Sequence, residues 1–468
     1  MARSFGRRAA AADVGEEGPD LVEALAAVIQ PLSGASRLQK IFFLAGPVLV
    51  EQLLFALAAF IDLYVAGKLG AEEVAAVGLV QALLAVCVAV FTALGTGAAA
   101  LISRQAGAGQ RELAQQTAGQ SILAACGAAV LFAMLGFTLA EETLLLLGVA
   151  DAALPMGRAY LQILSLSLVF LALMTALGQL LRCAGDAATP FYIGVFVQVL
   201  RLLFLYGLVF IGAWGVAGLA WATVAAQLVG AMLLVLALRR SWLGGWRAQE
   251  ALQSSWRLFW NCSAPLVAER LVMRLGQLLY AGMIVYVGAD VYAAFLLAGS
   301  ISSFSFLAGY ALAAAAVILV GYEFGSARFG EARRFVWLLC RLGIGIMGFL
   351  GLAFFVFASW IGPLASADKV VADLVCWSLQ LDAFAQPFIA VSLILAGALQ
   401  GSGDCRSSLF STIAGIWLIR IPGIFFLCLW GHGGITGVWL VNGLDYVLRA
   451  IFLTKRFQMH LKQAVHEV

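Results

Sequence analysis

Residues 46–78 read GPVLVEQLLFALAAFIDLYVAGKLGAEEVAAVG. From Pro47 to Gly67 the run is apolar except at Glu51, Gln52, Asp62 and Tyr64. It exceeds the ~20 residues an α-helix needs to cross the hydrocarbon of a bilayer, and no turn signal breaks it. The stretch therefore predicts a membrane-spanning helix that carries two carboxylates. Glu51 and Asp62 are eleven residues apart. That is about three turns, so they share one face, ~16 Å apart along the axis.

The rest of the chain has the same character. Of its 468 residues 63% are hydrophobic and 11% charged, with a mean hydropathy of +0.99. A soluble chain is nearer half apolar and a quarter charged. Apolar stretches recur at 42–66, 74–102, 117–140, 157–181, 190–212, 215–238, 258–287, 294–322, 335–360, 372–399, 408–430 and 434–454. The fold class expected is an all-α membrane protein with twelve spanning helices. Nineteen Lys and Arg residues fall in one set of alternate loops and in both tails, against Lys68, Arg158 and Lys369 in the other set. This bias predicts both termini in the cytoplasm and a multi-pass protein of the cell inner membrane.

Several function classes are set aside. The net charge is only +3, so no nucleic-acid partner is expected. No HExxH and no GxxxxGK[ST] occurs, and the eight cysteines are scattered with no CxxC pair. Neither a metal site, a disulfide framework nor ATP hydrolysis is expected. No nucleophile–base constellation suggests an enzyme. The first residues, mixed in charge, lack the order of a signal peptide.

The chain repeats itself. Pro47 and Pro265 are 218 residues apart, as are Glu51 and Glu269, Gly70 and Gly288, Gly107 and Gly325, Gly185 and Gly403, and Asp186 and Asp404. One offset held over about 140 residues by scarce residue types points to duplication. The expected organisation is a tail at 1–37, a lobe of six helices at 38–240, a linker at 241–257, a second lobe at 258–455 and a tail at 456–468. Six crossings per half give both halves the same topology, which suits alternating access by rocking of two lobes. A monomer in contact with the lipid bilayer suffices for this.

An ionisable side chain inside a span is costly, so each is a functional candidate. Asp62, Glu51 and Glu269 are candidates for cation coupling. Gln52, Tyr64, Arg270, Arg274, Gln277, Tyr280, Asp382 and Gln386 are candidates for a substrate cleft. Pro387 bends its helix beside Gln386, a common device where a helix lines a cavity. Arg201 and Arg420 lie 219 apart, and with Asp445 they read as salt bridges internal to each lobe. Arg341 and Arg449 read as side chains that snorkel to the cytoplasmic edge. Aromatic side chains read mostly as lipid-facing or packing residues.

The ordered set of motifs resembles the multidrug and toxic compound extrusion (MATE) family, over about residues 38–455. The carriers are Pro47 with Asp62, the Arg182, Gly185-Asp186 and Thr189-Pro190 segment, its weaker copy at Gly403-Asp404, and Arg420-Ile421-Pro422. The Glu51-Gln52-Leu53 run and Glu269 are similar to a bacterial branch of that family. The resemblance implies two pseudo-symmetric six-helix lobes and export of small organic compounds, often cationic, in exchange for H+ or Na+, with no other cofactor. In the DinF-like branch the first-helix Asp is the coupling carboxylate, which maps onto Asp62. That branch often has an Asn and an Asp facing it, where this chain has Arg201 and Leu205; this chain also lacks the acidic residue that others of the family place centrally in helix 10, Asp382 lying about a turn and a half earlier. The alternatives are a lipid-linked precursor flippase of the same superfamily and a non-transporting scaffold or receptor.

Overall fold

The computed structural model describes residues 36–146, 154–431 and 433–467. The expected amino-terminal tail, up to residue 35, lies outside the described residues. Among the described residues there is no strand, and twelve helices are long and apolar enough to cross a membrane. They are α1 (Arg37–Leu69), α2 (Ala71–Gly107), α3 (Arg111–Thr138), α4 (Leu154–Cys183), α5 (Ala188–Leu205), α6 (Gly215–Arg240), α7 (Trp256–Val287), α8 (Ala289–Gly325), α9 (Phe329–Ala365), α10 (Lys369–Ser402), α11 (Cys405–Cys428) and α12 (Gly434–Glu467). A wider π-helical segment, Tyr206–Ile211, prolongs α5. Along α11 and just past its end, π-helical segments at Ala414–Arg420 and Phe425–Trp430 flank a short α-helical turn.

Number and order match the sequence expectation, but the helices outrun the apolar windows. The α12 helix reaches Glu467 rather than stopping near residue 454. An apolar window marks what lipid can solvate, whereas backbone hydrogen bonding continues until a breaker ends it. Large apolar side chains remain exposed along the helices, including Phe60, Leu278, Phe349, Trp360 and Leu418. Only hydrocarbon solvates such a surface without cost, so the chain is a multi-pass membrane protein.

The chain forms two compact units, and these cut it elsewhere than 38–240 and 258–455. The first unit is Pro47–Ile102 with Glu112–Arg274. The second, in its described residues, is 36–46, Ser103–Arg111 and the chain from Leu275 onward. Helices change unit along their length, among them α1 at Pro47, α2 at Ser103 and α7 after Arg274. Helices of 33 and 32 residues exceed what one bilayer crossing requires, so their two ends can pack in different surroundings. The stretch expected as a linker is docked within the first unit. Leu243 and Ala251 are buried, and the Trp242 indole N–H donates to the Ala184 carbonyl at 3.2 Å.

In the second unit α10 packs on α8, α9 and α12. A Cβ at Gly397 or Gly401 would collide with the α8 backbone at Ala313 and Val317. Glycine there lets the two backbones approach closely, the usual means of joining helices where lipid removes the hydrophobic drive.

Candidate functional site

The polar groups of the spans fall into separate constellations in each unit. In the first unit Asp62 of α1 is buried and accepts from Arg201 Nη1 of α5 at 2.6 Å. Arg201 also donates through Nη2 to the Ala58 carbonyl at 3.1 Å and through Nε to Gln198 Oε1 at 3.3 Å. Tyr160 of α4 is buried beside the pair. The position noted as a departure from the DinF-like pattern is thus the direct partner of the carboxylate. An arginine compensates a charge that lipid would otherwise reject.

Some ten residues nearer the start of α1, Glu51 pairs with Arg182 of α4. Arg182 opens the motif that ends in Gly185-Asp186, and the local geometry explains the motif. Gly185 has φ +91, a left-handed conformation that only glycine adopts without strain. Its N–H donates to the Arg182 carbonyl at 3.1 Å, and the Asp186 N–H donates to the Leu181 carbonyl at 3.0 Å. This double bond pattern closes the end of α4. The Asp186 carboxylate then accepts from the Thr189 N–H at 2.9 Å and starts α5.

The second unit repeats the device. Gly403 has φ +100, with bonds from Gly403 N–H to Gln400 and from Asp404 N–H to Leu399. Asp404 caps α11 through the Ser407 N–H and also accepts from Arg456 of α12 at 2.8 Å. Gln400 stands where the first repeat has Arg182, and its amide donates to Ser408 Oγ at 3.1 Å.

Arg420 of the second unit is the counterpart of Arg201. Its Nε donates to Asp445 of α12 at 2.5 Å, and its guanidinium lies over the rings of Tyr446 at 4.7 Å and Tyr280 at 5.8 Å. Tyr280 occupies the position 218 after Asp62. One arginine therefore meets a carboxylate on the first helix of its repeat, and its counterpart meets an aromatic face there. The π-helical Ala414–Arg420 precedes Arg420, while the π-helical segment of α5 follows Arg201. One extra residue in the helical path accounts for an offset of 219 where the other pairs keep 218. Arg449 corrects an expectation: its Nε donates to Asp445 at 2.6 Å, one helical turn away, so it turns inward instead of snorkelling.

The last constellation lies between α8 and α10. The Ser305 hydroxyl donates to Gln386 Oε1 at 2.6 Å, and Gln386 Nε2 donates to Asp382 Oδ2 at 2.6 Å. Ser302, Ser305, Asp382 and Gln386 are all buried. The Ser302 hydroxyl adjoins the Asp382 carboxyl.

The other sequence candidates are spread out. Tyr64 is exposed and lies under Lys68 Nζ at 5.5 Å. Gln52 is half-buried. Glu269 and Arg270 are half-buried and Arg274 exposed on the part of α7 in the first unit, whereas Gln277 and Tyr280 belong to the second. Pro47, Pro265 and Pro387 sit inside helices, Pro190 in the first turn of α5, and Gly70 between α1 and α2. Sequence reasoning missed Tyr160, Gln198, Ser302 and Ser305. The serine pair three residues apart in an apolar span, Ser302 and Ser305, was the available signal.

Comparison with known proteins agrees with this architecture. A family model described as MatE matches residues 47–207 and again 265–426. A protein of Thermotoga maritima named "Probable multidrug resistance protein NorM" is 24% identical, over 87% of this chain and 89% of its own length. A Pseudomonas syringae protein of the same name is 27% identical over 89% and 93%. An outward-facing multidrug resistance MATE transporter of the MOP superfamily superposes with a TM-score of 0.87 at 18% identity, covering 94% of this chain and 98% of that one. A MOP superfamily transporter from Pyrococcus furiosus, described by the reverse polarity of its binding pocket, gives 0.87 at 17% identity with the same coverage.

Proposed function

This chain belongs to the MatE family, and from that premise we propose that it exports small organic compounds, often cationic, by alternating access driven by protons or sodium ions. The observation that supports the reading is the buried Asp62–Arg201 pair joining α1 to α5. A carboxylate in a low-dielectric span can exchange one cationic partner for another. When a proton or sodium ion occupies Asp62, its hold on Arg201 weakens. Arg201 keeps its bond to Gln198 of its own helix, and α1, released from the ion pair, takes a second position. A cation biases the transporter only by binding one arrangement better than the other, and the competing arginine supplies that difference.

Glu51, neutralised by Arg182, and Glu269 are secondary coupling positions in this account. Gln52, Tyr64, Arg270, Arg274, Gln277, Tyr280, Asp382 and Gln386 are the substrate-facing set. The protein acts as a monomer in the cell inner membrane with both termini in the cytoplasm. Asp62→Asn tests the proposal. It is expected to abolish resistance to exported dyes while the protein still reaches the membrane, and normal efflux by that variant would remove Asp62 from the coupling role. A lipid-linked precursor flippase is the second reading, favoured by the guanidinium charge of Arg270 and Arg274 on α7. Growth rescue of a flippase-deficient strain would move the assignment there.

A further inference from the structure

We propose that the stretch joining α6 to α7 is a docking surface for the headgroups of anionic phospholipids. From Arg239 to Trp260 the chain carries four arginines, Arg239, Arg240, Arg247 and Arg257, against one carboxylate, Glu250. Four of the twelve tryptophans of the whole chain, Trp242, Trp246, Trp256 and Trp260, fall in the same stretch. All four arginines are exposed. Arg247 lies 3.6 Å from Glu250 with both side chains at least half exposed, a pairing that water screens strongly. Among the described residues no carboxylate pairs with Arg239, Arg240 or Arg257. The stretch therefore presents a surplus of guanidinium charge, and its complement is an anion.

The backbone that carries these charges is fastened to the first unit. Gln115 of α3 donates through Nε2 to the Trp242 carbonyl at 2.7 Å, and Gln120 of α3 donates to Ser254 Oγ at 2.8 Å. A Cβ at Gly119 of α3 would collide with Ala251 and crowd Trp246, so the stretch lies flush on that helix. Arg239 and Arg240 close the last turn of α6, and Trp256 and Arg257 open α7. Both helices cross the membrane, so both ends of the stretch stand where hydrocarbon gives way to headgroups. Trp260 is 44% exposed, stacks with Trp256 at 6.4 Å and meets the buried Phe259 edge-on at 5.4 Å. Leu252 and Leu258 are exposed in the same stretch. A soluble acidic partner matches the guanidinium charge and leaves these indole and leucine side chains unmatched. A phospholipid matches both, its phosphate suiting a guanidinium fork and its glycerol and upper acyl region suiting an indole at the interface. Four basic residues directly beside the ends of spanning helices are enough for such recognition.

Lipid docking rests on the chain spanning a membrane and not on the antiport reading; only the choice of the cytoplasmic leaflet rests on the charge bias of the loops. The purified full chain in detergent is titrated with phosphatidylglycerol or with phosphatidylcholine of the same acyl chains, and the most tightly held lipid is followed by native mass spectrometry. Phosphatidylglycerol is expected to be retained several-fold more tightly. Arg240→Gln and Arg257→Gln are each expected to weaken its retention about fivefold, the effect of one basic side chain beside an anionic surface. Arg257→Lys, which keeps the charge, is expected to stay near the wild type. Arg333→Gln, which removes an exposed charge from α9, is expected to change nothing, and excess glycerol phosphate is expected not to displace the lipid. Equal retention of the two lipids overturns the proposal and leaves the surface to a soluble acidic partner. A loss with Arg333→Gln as large as with Arg257→Gln overturns it by reducing the effect to overall charge. Displacement by glycerol phosphate overturns it by making the surface a site for free anions. None of these outcomes alters the expected efflux phenotype of Asp62→Asn, so the two readings fail separately.

Discussion

At the scale of the residue, the two arginines define what the sequence could show. Arg201 and Arg420 stood out as charges in apolar runs, and Asp445 was grouped with them on the expectation of internal salt bridges. That expectation matches the pairs Arg201–Asp62 and Arg420–Asp445. The aromatic face that Tyr280 turns to Arg420 was not legible, because a ring's partner depends on how helices rotate about one another. Removing one member of a buried pair leaves the other uncompensated and costs about 3–5 kcal/mol. Arg201→Gln is therefore expected to lower the unfolding midpoint in detergent sharply. Asp62→Asn combined with Arg201→Gln is expected to restore much of it, read by a thermal denaturation series over the three variants. The repeated glycines give a second expectation. Alanine in a left-handed conformation costs about 1–2 kcal/mol, so Gly185→Ala loses about that amount. Gly403→Ala loses more, since the new Cβ also meets the Arg104 guanidinium. The same denaturation measurement ranks the two.

At the scale of the element, hydropathy located every span because lipid demands long apolar helices with all backbone groups paired internally. Helix ends and helix type were less visible. Nothing in composition distinguishes Ala414–Arg420, which is π-helical, from an ordinary turn. The one numerical trace was the offset of 219 between Arg201 and Arg420, which differs by one residue from every other repeated pair. If the π-helical turn is what aims Arg420 at Asp445, deleting Ala414 rotates Arg420 by about 100° around the helix. The deletion variant is then expected to lose folded yield and thermal stability, measured by size-exclusion chromatography and denaturation. Replacing Ala414 with glycine, which keeps the register, is expected to be much milder. Equal behaviour of the two variants would show that the turn does not position Arg420.

At the scale of the whole molecule, the duplication was legible because a few scarce residues kept their spacing. The chemical inequality of the halves was legible too, since Asp62 answers to Tyr280. What the sequence could not show is that α1 and α7 each divide between compact units. That depends on tertiary neighbours, not on any local pattern. The charge bias makes its own prediction: cysteines placed at both ends of the chain are labelled only from the cytoplasmic side by a membrane-impermeant reagent, whereas one placed beside Lys369 is labelled from outside.

The central claim, that cation entry at Asp62 drives export, is tested most directly in vesicles reconstituted with the purified chain. Dye efflux is followed while a proton gradient or a sodium gradient is imposed in turn. The account predicts that one of the two gradients accelerates efflux and that Asp62→Asn abolishes the acceleration. Efflux that ignores both gradients, or a gradient response that survives Asp62→Asn, would contradict it.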